Sequence, residues 1–271
     1  MGPGFGADDD KAQSRVRAAG GLTLSSAFAD ISLAQLALIA AVALLASVLG
    51  GVAGYGTGAL MPLVLVPILG PEPVVPIVAF SALFTNSSRI AAFRHLIDRR
   101  RVLIVLAAAA PTCVLGAWGY TMLGGRGASL AIGGMMAASV PLRRLLKRRG
   151  FDRGLAAASF GYGFVVGGTT GAGIILLSLL MAAGLQGAAV IATDATISLV
   201  IGITKVAMFG IAGVVSAKVL AVALLIGGIA FPGAFLAKAL VERMPIHVHT
   251  ALLDAVVVFG GAMMIVEAFA Q

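Results

Sequence analysis

Charge is scarce in this chain. Only 11% of its 271 residues are Asp, Glu, Lys or Arg while 60% are hydrophobic, a balance outside the usage of ordinary soluble domains. Mean hydropathy is +1.06. Cysteine is nearly missing: Cys113 is the one thiol, so no intrachain disulfide can form, and its place inside an apolar segment favours packing over redox chemistry. The three histidines, His95, His247 and His249, make a poor ligand set. His247 and His249 form an H-x-H pair, but positions i and i+2 do not share a helix face, and His95 lies among arginines. No metal and no cofactor is expected. A G-x-x-x-x-G-K-[ST] phosphate loop is absent, as is the alternating pattern of a membrane β-barrel. The first 30 residues lack a basic start followed at once by an apolar core and cleavage site, so no cleavable signal peptide is expected. The net charge of +8 does not point to nucleic acid, because most of the excess sits in two short stretches between apolar segments, where membrane topology accounts for it.

What is present is a series of apolar runs, many near the ~20 residues needed to cross ~30 Å of hydrocarbon. They fall at about 31–49, 59–69, 74–93, 102–123, 128–142, 155–166, 174–183, 188–209, 217–241 and 248–269. The fold class is therefore an all-α polytopic membrane protein. Basic loops are expected at Arg94–Arg101 and Arg143–Arg153, with turns at Gly-Pro-Glu-Pro from Gly70 and at Gly-Gly-Arg-Gly from Gly124.

Two of these runs are interrupted by glycine. GGVAGYGTG from Gly50 to Gly58 and GGTTGAG from Gly167 to Gly173 share the pattern G-x-x-G-x-G, which pairs Gly51 with Gly168, Gly54 with Gly171 and Gly56 with Gly173. The correspondence continues. Ser88 to Phe93 lies over Thr204 to Phe209, and Gly116-Ala117-Trp118 lies over Gly233-Ala234-Phe235, at offsets of 116 or 117 residues. A polar segment, 1–30, is thus followed by a first transmembrane repeat, 31–149, and a second, 150–271. Five segments per unit is odd, so the repeats should enter the membrane from opposite sides as inverted repeats, each with a glycine-broken helical hairpin. Twelve lysines and arginines then fall on one side, at 94–101, 143–153, Lys238 and Arg243, and five on the other. Basic residues favour the cytoplasm, which puts both termini in the periplasm.

A broken helix in hydrocarbon leaves backbone N–H and C=O groups without partners, which is tolerable only where they are buried in protein or face a polar cavity. Matched breaks in two repeats point to one midplane site. A helix start offers free N–H groups and partial positive charge, hence a preference for anions. Gly54, Tyr55, Gly56, Thr57 and Gly58 supply these at the first break, and Thr169, Thr170, Gly171 and Gly173 at the second. The plainer reading is that glycine merely lets helices pack closely. Arg89 and Lys205 occupy equivalent positions within apolar runs, and Asn86 stands one turn before Arg89. Both cations suit an anionic ligand, and both are also close enough to span ends to snorkel to the headgroups. Asp194, beside Thr193 and Thr196 with Ser198 four residues on, is the most deeply placed carboxylate and the candidate for coupling through a proton. Pairing with a cation and a structural hydrogen bond are its other readings. Asp254 is a weaker candidate.

GGVAGYGTGALMPLVLV at Gly50–Val66 and GGTTGAGIILLSLL at Gly167–Leu180, with Pro62 and Pro76 after the first break and the arginine-rich stretch between halves, resemble the TauE/SafE sulfite exporter family, also called TSUP transporters. The resemblance covers about residues 31–269. The second signature departs from the first at Leu179, which stands where Pro62 stands, so the half-sites need not be equivalent. The resemblance implies a bacterial or plant membrane protein that moves sulfite, thiosulfate, a sulfonate such as sulfoacetate, or another small organic anion. The expectation is a non-enzymatic secondary transporter of the inner membrane, whose partners are the bilayer, a small anion and a coupling proton. A passive anion channel and an intramembrane enzyme are the alternatives.

Overall fold

The computed structural model describes residues 28–53, 56–147, 154–233 and 235–237, with positions 262, 265, 266 and 269 beyond them. Among these residues there are nine α-helices and no strand: α1 (Leu33–Ala53), α2 (Thr57–Leu69), α3 (Val74–Phe93), α4 (Arg99–Thr121), α5 (Gly125–Lys147), α6 (Leu155–Gly167), α7 (Gly173–Ala182), α8 (Ala188–Ile211) and α9 (Ala217–Ala230). A short 3-10 turn at Arg94–Leu96 follows α3. Gly54, Tyr55, His247, His249 and Asp254 lie outside the described residues, as does most of the run expected at 248–269.

Among the described residues five helices are long and apolar enough to cross a membrane: Leu33–Gly51, Val74–Leu96, Arg99–Thr121, Ala188–Ile211 and Ala217–Ala237. The protein is a helical membrane protein. α2 and α6 have 13 residues each and α7 has 10, so at 1.5 Å per residue none of them alone spans ~30 Å. The two shortest pieces after the breaks are enclosed by protein. In α7 every residue from Ile174 to Leu180 is buried, and in α2 the buried face includes Thr57, Leu60, Met61 and Leu65. Enclosure is what makes broken backbone tolerable at membrane depth.

Two basic stretches are less loop-like than their composition implied. Asp98 accepts a hydrogen bond from the Arg101 N–H at 2.9 Å and caps α4, so Arg99, Arg100 and Arg101 form its first turn. A carboxylate that satisfies an orphan N–H starts a helix regardless of the charges that follow. Gly125 already belongs to α5, which continues through Arg143 to Lys147, because Leu and Arg are both good helix formers.

Helix contacts come in matched sets. α3 packs on α8. α9 packs on α3 as α4 packs on α8, α1 packs on α9 as α6 packs on α4, and α2 packs on α3 as α7 packs on α8. The α4–α6 seam shows why these residues close so tightly. A Cβ at Gly163 would strike the carbonyl of Ala109, one at Gly167 the carbonyl of Cys113, and one at Gly116 the carbonyl of Phe164. Without a hydrophobic force between helices in lipid, such small-residue contact and interhelical hydrogen bonds carry the association. Thr112 adds one of the latter, donating to Phe160 O at 2.8 Å. Gly233 is pressed against Ser47 in the same way, and these partners, Ser47 and Phe164, are 117 residues apart, as are Gly116 and Gly233. Leu103, Leu115, Trp118, Phe160 and Phe164 face outward on α4 and α6, an apolar band suited to acyl chains.

Candidate functional site

At the first break the chain doubles back. Gly56 lies against Ala46 and Gly50 of α1, so close that a Cβ there would fall on the Ala46 carbonyl, and α2 starts at Thr57. At the second, Gly171 adopts φ +77°, a left-handed conformation open to glycine and costly for other residues, and α7 starts at Gly173. The breaks meet: a Cβ on Gly58 would stand 3.3 Å from the Gly171 nitrogen, and one on Gly171 would stand 3.5 Å from the Gly58 oxygen. Neither helix start is capped by a side chain; the Ala59 and Ile175 N–H groups turn back to the Gly56 and Ala172 carbonyls at 3.0 and 2.9 Å, which leaves the N–H groups of the first two residues of each helix without intrahelical acceptors.

Both starts open on one cavity of about 130 Å³, room for a small anion with some of its water. The structure brings together on its wall every described residue that the sequence assigned to the site: Gly56, Thr57 and Gly58 of the first break, Thr169, Thr170, Gly171 and Gly173 of the second, Asn86 and Arg89 of α3, Asp194 and Lys205 of α8. Gly54 and Tyr55 lie outside the described residues. Glycine as a packing aid and glycine at a cavity wall are compatible, since Gly56 both packs on α1 and lines the cavity.

Both cations turn inward. The Lys205 ammonium donates to Val166 O at 2.7 Å and Thr169 O at 2.9 Å, carbonyls left over where α6 ends. A cation at a helix C-terminus complements both the orphan acceptors and the dipole. Lys205 is 6% exposed and does not snorkel. Arg89 donates to Asn86 Oδ1 and meets Asp194 Oδ2 at 3.3 Å. Asp194 is 1% exposed, and its other oxygen, Oδ1, has no hydrogen-bond partner among the described residues. The hydroxyls next to it serve elsewhere: Thr193 accepts from the Asp98 N–H at 3.0 Å, and Thr196 donates to Ala192 O at 2.9 Å. Of the threonines at the second break, Thr169 donates to Ala131 O of α5 at 3.0 Å, whereas the buried Thr170 hydroxyl has no partner among the described residues.

Tyr162 and Ser47 also line the cavity and were missed. Tyr162 stands four residues before Val166 on α6, so the two share a face, and a tyrosine one turn before a break in an apolar run was the available signal. At the Arg94 end of the bundle, Arg101 pairs with Asp98 and also donates to Ala183 O of the α7–α8 turn. The Arg101 N–H and guanidinium hold the Asp98 carboxyl below its ordinary range. This contact ties the α3–α4 connection to α7 and α8. At the other end the Tyr120 hydroxyl donates to Pro71 O at 2.8 Å.

The cavity wall therefore carries residues of both helix starts, hydroxyl side chains, two cations and, among the described residues, one carboxylate. The family model described as Sulfite exporter TauE/SafE matches residues 39–264, most of the chain. No curated protein and no solved structure matches it.

Proposed function

The chain belongs to the sulfite exporter TauE/SafE family, and from that premise we propose that it is a secondary carrier of a small sulfur-containing anion, sulfite or a sulfonate such as sulfoacetate, exported by alternating access around the central cavity. The observation that carries this reading is the meeting of the two breaks at Gly58 and Gly171, each beside a helix start without a side-chain cap, on the wall of one cavity. Neutral N–H donors and the Thr170 hydroxyl, which has no partner among the described residues, bind an anion with moderate affinity, which suits release better than a cage of bare charges would. The matched helix contacts, and the matched Gly116–Phe164 and Gly233–Ser47 contacts, support two inverted repeats that rock against each other. With the basic residues at 94–101 and 143–153 facing the cytoplasm, both termini are periplasmic in a bacterial inner membrane.

A thermal-shift screen of the purified protein against sulfite, thiosulfate, sulfoacetate, sulfate and short carboxylates tests the site, because a ligand of the folded state raises its apparent stability. Stabilisation by sulfur oxyanions and not by short carboxylates is expected, and a flat response to all of them defeats the reading. Flux into vesicles separates carrier from channel: the carrier saturates, and a flux linear to high substrate overturns it. For topology, a cysteine placed between 148 and 153 should resist an impermeant thiol reagent in intact cells. Rapid labelling there would invert the orientation.

A further inference from the structure

Arg89 already has an anion. Its guanidinium meets Asp194 Oδ2 at 3.3 Å, and both residues line the cavity in which a substrate would sit. A small anion that takes up the guanidinium must displace that carboxylate or share with it. Displacement leaves Asp194, 1% exposed, as an unpaired buried charge, a strongly unfavourable state that buried groups avoid by neutralising. The oxygen able to take a proton is at hand, since Oδ1 has no hydrogen-bond partner among the described residues.

Among the described residues no other group is placed to compensate. The elements packed on α8 are α3, α4, α6, α7 and the 3-10 turn. From α3 the one charged side chain is Arg89 itself, and from α6 the one titratable group is Tyr162, whose neutral hydroxyl lies on the same cavity. α7 brings no titratable residue. On α4, Arg101 is committed to Asp98 and Ala183, Arg99 and Arg100 stand in the same first turn at the end of the bundle, Cys113 is buried in the seam with α6, and Tyr120 is bonded to Pro71 at the far end. Arg94 and His95 are in the 3-10 turn that ends the Val74–Leu96 span, beyond the end of α3. Lys205 is on α8 itself, eleven residues further along, about 16 Å at the rise of an α-helix, and it is engaged by Val166 and Thr169.

We propose that substrate and proton bind together: the anion replaces Asp194 at Arg89, and Asp194 takes up one proton on Oδ1 as it is released. The step balances as an Arg89–Asp194 ion pair plus a free anion plus a proton from the aqueous phase, giving an Arg89–anion pair plus a neutral Asp194 carboxyl. The net charge of the cavity changes only by the anion charge in excess of one, and the new O–H becomes a donor toward the cavity. This rests on the anion reading above and adds the coupling that reading lacks. By linkage, anything that favours the proton favours the anion to the same degree.

The test is calorimetric titration of the protein in lipid nanodiscs with thiosulfate, and separately sulfoacetate, neither of which titrates near neutral pH. Measuring each in two buffers of different ionisation heat counts the protons taken up per anion. We expect about one proton per anion for the wild type and an affinity that falls about tenfold per unit rise in pH where free Asp194 is ionised. Asp194→Asn should take up none, and its affinity should be flat with pH and higher than wild type at alkaline pH. The wild-type proton count stands even if the variant fails to fold. Binding without proton uptake and without pH dependence overturns the proposal and leaves the anion site intact, with Lys205 as its cation. If the folded wild type binds neither anion, the anion reading falls and this proposal with it.

Discussion

At the first break Gly56 is wedged against the backbone of Ala46 and Gly50, while at the second Gly171 has a left-handed backbone and Gly173 has no neighbour within 4 Å where its Cβ would be. The cations differ as well. Lys205 caps the carbonyls at the end of α6, whereas its counterpart Arg89 pairs with Asp194 across 105 residues of sequence. Positions that correspond in the sequence thus carry unequal duties: one break is held by steric closeness, the other by turn geometry and a lysine. The cation that the proposed exchange uses is Arg89, which meets a carboxylate where Lys205 is held by backbone carbonyls.

Five sets of substitutions break or sharpen that contrast, in falling order of effect. Gly56→Val should be the most severe, since its side chain lands on backbone that cannot move without separating α1 from α2. The expected result is loss of the monodisperse peak in size-exclusion chromatography. Arg89→Gln should cost about 3 kcal/mol in a detergent melt by stranding Asp194, and Arg89→Gln with Asp194→Asn should recover most of it. Lys205→Met should cost about 1–3 kcal/mol through its orphaned carbonyls, with no rescue by Asp194→Asn. Equal rescue of both would mean the two cations share one network. Gly171→Ala should cost about 1–2 kcal/mol from its backbone conformation, seen as a lower melting temperature with folding retained. Gly173→Ala should change stability by less than about 0.5 kcal/mol, because nothing occupies the space. A collapse there would show that the second break is as tightly closed as the first.

Much of this was legible in the chain. The run 74–93 became α3 with the same limits, and 188–209 became α8 with two residues more, because hydropathy and helix length are set locally. The glycine pattern marked both breaks, and Gly56, Thr57 and Gly58 from the first and Thr169, Thr170, Gly171 and Gly173 from the second converge on one cavity. The basic stretches were read as loops because composition was weighed over capping, and Asp98 three residues before Arg101 was the overlooked cue. Tyr162 was hidden because one tyrosine in an apolar run is equally at home on a lipid face.

Sequence by itself determined that the chain lives in a bilayer, where its helices break and that the breaks recur, since each follows from side-chain polarity and backbone freedom within a few residues. Tertiary structure decided which charge answers which. Arg89 could have reached the headgroups and Asp194 could have bonded to Thr193 or Thr196. A helix turns its face by about 100° with each residue, so the partner a side chain meets depends on how two helices are rotated and how closely small residues let them approach. That is a property of the packed bundle and of no single segment.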